Sequence, residues 1–202
     1  MQGRAIFWSE RYLMHRFFIL VVVATTTAST AAFADDHVRL RGTYAFTGMS
    51  FCIRDSASLG FNPNFTPKGP VKLFSYTVEG VMVFHADGTG TVNAGDFSVD
   101  TGGGETGVSS YQITYTIGPD DKLSVKAVPG TYSHTILTGP IAGLTQVAEV
   151  ADANGLIGEG ARTITFVHPA PTVQMVTRSD GNQYAQICNG SPIYIRISGE
   201  DR

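Results

Sequence analysis

Charge is what this sequence has little of. Asp, Glu, Lys and Arg make up 15% of its 202 residues, below the roughly one quarter usual in soluble domains. No run of Lys and Arg occurs anywhere, so nucleic-acid binding by phosphate neutralisation has nothing to act through. The longest apolar run, residues 17–24, has eight residues, too short to cross a bilayer as a helix. Helical periodicity is absent after that run. That absence removes helical crossovers, and with them a parallel sheet. There is no G-x-S-x-G elbow, phosphate loop or H-E-x-x-H, so hydrolytic and nucleotide chemistry lack support and no cofactor is expected. Tryptophan occurs once, at Trp8, and cysteine twice.

What is present begins at the N-terminus. Arg11, His15 and Arg16 precede the run Phe17-Phe18-Ile19-Leu20-Val21-Val22-Val23-Ala24. Small residues follow, closing with Ala32-Phe33-Ala34 before Asp35-Asp36. A basic flank, a short apolar core and an A-x-A site predict a signal peptide over 1–34, its functional start at Met1 or Met14. Residues 35–202 are then one secreted or periplasmic domain with no membrane span. Three of the 14 basic and one of the 17 acidic residues fall in the leader, which leaves 11 against 16, a net charge of −5. Such a balance favours solubility and names no partner.

Both cysteines, Cys52 and Cys188, lie in the exported part. An oxidising compartment and an even count predict a structural disulfide between them. No C-x-x-C spacing points to a metal or a reactive thiol.

Alternation of period two dominates the rest. Over residues 74–85 one face carries Phe74, Tyr76, Val78, Met82 and Phe84, and the other Ser75, Thr77, Glu79 and His85. Burying five large apolar side chains outweighs burying Glu79, so the first face is expected inside. Asp87-Gly88 then marks a hairpin. Tyr111, Ile113, Tyr115 and Ile117 alternate with Gln112, Thr114 and Thr116. Further strand candidates end with a hairpin of 184–188 and 193–197 around Asn189-Gly190. Gly48 is expected at a bulge, Gly102-Gly103-Gly104 in a mobile loop, and Asp152-Ala153-Asn154-Gly155 in a turn. About eight to ten strands with short connections predict an all-β fold. The expected form is a single antiparallel meander barrel, the alternative a β-sandwich.

The early strand Gly42-Thr43-Tyr44-Ala45-Phe46, followed by a meander through Asp87-Gly88-Thr89-Gly90-Thr91-Val92, resembles the calycin barrels. Length and export resemble the allene oxide cyclase and dirigent barrels. Tyr44 stands where the lipocalin signature has Trp, and no family's functional residues carry over. The resemblance implies a cavity for one small apolar molecule, with orienting polar groups at its mouth.

Phe74, Tyr76, Met82, Phe84, Tyr111 and Tyr115 are the candidate lining of that cavity, and His85, just before a tight turn, is the rim candidate. His85, His134 and His168 share no ligand spacing and read as surface or strand-end imidazoles, so no metal is expected. Binding a small apolar ligand is the function expected. An isomerase or cyclase using the same cavity and a filled structural or surface-interaction barrel are the alternatives.

Overall fold

The computed structural model describes residues 40–55 and 60–198. The expected leader over 1–34 lies outside the described residues, as does His37. Four long strands come first: β1 (Gly42–Asp55), β2 (Val71–Phe84), β3 (Thr89–Asp100) and β4 (Gly103–Ile117). They form an antiparallel meander whose register runs unbroken from each strand to the next. The Asp87-Gly88 hairpin is present in a three-residue form. His85 N–H donates to Thr89 O at 2.8 Å, and Gly88 alone takes a positive φ, of 81°. Gly103 and Gly104 belong to β4 and not to a loop, because Asp100 pairs with Gly103 across a tight turn.

Eight short strands follow: β5 (Lys122–Ala127), β6 (Ser133–Ile136), β7 (Thr145–Ala148), β8 (Ala153–Ile157), β9 (Thr163–Val167), β10 (Gln174–Arg178), β11 (Gln183–Gly190) and β12 (Ile193–Ser198). They lie end to end in pairs. β5 and β6 both run antiparallel to β4, at its two ends. β8 pairs with β5 and β7 with β6; β9 pairs with β8 and β10 with β7. β11 and β12 close the circuit on β1. The sheet is therefore a ring, with four continuous rows and four rows broken in the middle. The expected strand count undershoots the twelve segments and brackets the eight rows.

The last row shows how such a break arises. Ser50 faces Gly190 and Thr47 faces Ile193, so β11 and β12 hold one register along β1 and are not a hairpin. Pro192 interrupts them because it has no N–H for the ladder. Gly48 stands opposite, where an added Cβ would lie 2.8 Å from the Cα of Pro192. Against β2 the register passes through Gly48 without a bulge. Pro129 marks the β5–β6 break and Pro169 with Pro171 the β9–β10 break. β8 occupies part of the stretch read from sequence as an Asx turn.

The inside of the ring changes character along its axis. One half is a packed apolar core that includes Leu40, Tyr44, Phe84, Ile113, Leu123 and Ile164, all nearly inaccessible. The Phe84 ring meets Tyr44 and Tyr115 edge-on at 5.4 and 4.9 Å. Strand β4 shows the gradient: its inner face reads Glu105, Gly107, Ser109, Tyr111, Ile113, Tyr115, Ile117, from polar to apolar. On β1 the inner face runs the other way, from Tyr44 and Phe46 to Ser50, Cys52 and Arg54.

Candidate functional site

The polar half of the interior is not filled. It holds a cavity of about 250 Å³, just under the roughly 300–1,000 Å³ of drug-sized ligand sites. Tyr76 of β2, Tyr111 of β4, Tyr132 from the β5–β6 break, Tyr184 of β11 and Tyr194 of β12 line it. Ring closure brings them together, since β11 and β12 meet β1 only at the seam. Burial pushes the Tyr111 phenol up to about 12, and burial is also the leading cause that raises Tyr76, Tyr132, Tyr184 and Tyr194. At neutral pH these hydroxyls stay protonated and able to donate.

Between the rings sit polar groups. His134 Nε2 lies 2.9 Å from Asp96 Oδ1, with both side chains mostly buried, and His134 Nδ1 is buried without a partner. Tyr184 Oη donates to Gln146 Oε1 at 3.2 Å. Gln186 Nε2 donates to Gln174 Oε1 at 3.2 Å, and Gln186 Oε1 is buried without a donor. The Arg54 guanidinium lies over two rings, 4.5 Å from the centroid of Phe74 and 4.0 Å from that of Tyr184. Met49 and Val167, exposed on the outer face, share the cavity wall with His168. The cavity thus reaches the surface through the broken side of the ring, beside Pro192.

Of the candidate lining, Phe74, Tyr76, Met82 and Tyr111 stand in the cavity wall. Phe84 and Tyr115 do not: they lie toward the other end of the ring and are consumed by the packed core. His85 is exposed in the turn at that same end, and its carbonyl accepts from Tyr115 Oη at 2.5 Å. With packed core beneath it, it does not line this cavity. Glu79 faces out. His134 is 8% exposed and is a wall residue, not a surface imidazole. His168 Nδ1 lies 3.2 Å from Asp152 O. Among the described residues no three His, Cys, Asp or Glu side chains converge on a metal-binding geometry.

Sequence reasoning missed Arg54, Asp96, Tyr132, His134, Tyr184 and Tyr194. Two of these carried a signal. Arg54 is in phase with Cys52, and Asp96 with Val92 and Ala94, so each is a charge on an inward face. The other four take meaning only from ring closure. Cys52 and Cys188 are cross-strand partners and form a disulfide at the seam between β1 and β11. In comparisons with protein-family models and with curated proteins, nothing matches this chain.

Proposed function

We propose that the protein is exported and binds one small, mostly apolar molecule of aromatic character inside its ring of strands. One observation carries the reading: the interior keeps an open cavity with five tyrosines in its wall. A purely structural barrel has no use for that space, because filling it would stabilise the fold. Tyrosine rings beside Arg54, His134 and Gln186 in the same wall favour a ligand with a planar body and a polar end. The disulfide supports export, since such bonds persist in oxidising compartments. No helix among the described residues is long and apolar enough to cross a membrane.

The test is calorimetric titration of the purified protein with a panel of small aromatic compounds, beside mass spectrometry of what co-purifies. Binding of one equivalent, lost in Tyr111→Trp while the fold is retained, is expected. Binding unchanged in that variant would sink the reading. N-terminal sequencing of the exported protein is expected to begin at Asp35.

A second reading, an isomerase or cyclase, is favoured by the His134–Asp96 pair alone. An imidazole beside a carboxylate at a cavity wall is the pairing a proton transfer uses, though here the ring must turn to present Nδ1, which is buried at rest. If it holds, His134→Ala abolishes turnover of a bound ligand but leaves its affinity; equal turnover in that variant rejects it.

A further inference from the structure

Among the described residues, Arg54 is the only lysine or arginine in the cavity wall. Its guanidinium lies over the rings of both Phe74 and Tyr184. Its Nε is buried without an acceptor, and the terminal nitrogens make no hydrogen bond or ion pair among the described residues. Arg54 is half-buried and its terminal nitrogens, unlike Nε, are not sealed off, so the donors of its rigid fork are open to a partner. Three nearby acids are committed to other partners. Lys72 pairs with Asp100 at 2.8 Å, Asp96 with His134, and Arg178 with Asp180. Glu105 also lines the cavity, yet no ion pair joins it to Arg54.

We infer that Arg54 is an anion subsite that receives the carboxylate of an aryl carboxylic acid whose ring lies among the tyrosines. The inference rests on the ligand-binding reading above and adds the chemical class of the ligand. Two aromatic contacts restrain the guanidinium, and its planar fork suits bidentate contact with a carboxylate. Gln186, the cross-strand neighbour of Arg54, brings further side-chain polarity to the same end. Asp96, Glu105 and Glu149 in the wall oppose a doubly charged head, so a single negative charge is the better match. Tyr76 and Tyr111, deeper in the cavity, face the apolar body.

The experiment titrates the protein with benzoate, phenylacetate and cinnamate, each beside its primary amide, and with phenyl phosphate. At least one carboxylate is expected to bind about tenfold or more tightly than its amide, the scale of a desolvated charged hydrogen bond. Arg54→Met should erase that preference, weakening each carboxylate far more than its amide. Arg54→Lys should restore part of it, because the charge returns without the fork. Circular dichroism checks each fold, with Arg54→Gln as the neutral variant should the Met variant unfold. Equal binding of acids and amides in the unsubstituted protein would overturn the Arg54 assignment and leave the cavity reading standing. No binding by any of the seven compounds would overturn both. Phenyl phosphate binding more tightly than every carboxylate would keep the anion site but overturn the carboxylate.

Discussion

The imidazole of His134 occupies the space that a Cβ on Gly107 would need. Asp96 and Gly107 are cross-strand partners on β3 and β4, and His134 sits one strand further on, opposite Ser109. The histidine side chain crosses the whole width of β4 to reach Asp96. Glycine at 107 is what leaves the path open.

Gly107→Ala is therefore expected to expel the imidazole and break its contact with Asp96. Forcing atoms into an occupied site costs about 1–3 kcal/mol. Denaturant unfolding of the variant measures the loss. A stability equal to that of the unsubstituted protein would mean that the ring has another place to go.

Phe84→Ala should separate the two halves of the interior. The residue is 1% exposed and packed against Tyr44 and Tyr115 in the filled end. Removing a packed Phe costs about 3–5 kcal/mol. Ligand affinity, measured where the variant is still folded, should not change, because Phe84 lies outside the cavity wall. A weakened ligand with unaltered stability would place Phe84 in the site after all.

The buried tyrosines predict an alkaline limit. The phenols of Tyr111 and Tyr115 are raised to about 12, burial being the first cause for each. A group raised in the folded state contributes stability that is complete below its unfolded value, near 10. That contribution is lost as pH rises from there toward about 12, since the unfolded chain gives up its protons first. Absorbance at 295 nm and far-ultraviolet dichroism, followed together, should change in one cooperative step within that window. Stepwise ionisation of all tyrosines near pH 10 with the dichroism intact would contradict it.

Reduction tests the seam. Cys52 and Cys188 are 136 positions apart and tie the first row to the last. Chain-entropy arguments give about 5 kcal/mol for closing so long a loop, as an upper figure. Thermal unfolding with and without a reductant should differ by many degrees. Identical curves, or two titratable thiols in the denatured, unreduced chain, would remove the bond from the account.

The sequence by itself determined the class of fold, through the two-residue period of the pleat. That period puts Phe74, Tyr76, Met82 and Phe84 on one face of β2, and area decides that this face turns inward. It also marked the antiparallel meander, because short turns without helical crossovers permit little else. The tertiary structure decided everything that depends on distant rows meeting. Nothing local shows that β11 and β12 continue one another past Pro192, since a break in a row and a hairpin share the same turn residues. Nor does periodicity say where along a row the inside stops being filled. Phe84 and Met82 have the same pattern around them, yet only Met82 reaches the cavity, because Leu40, Tyr44 and Tyr115 close the other end. Tyr184, Tyr194 and Arg54 become one site only when the ring shuts. Local pattern is set by each residue's own backbone, whereas the cavity is a property of closure.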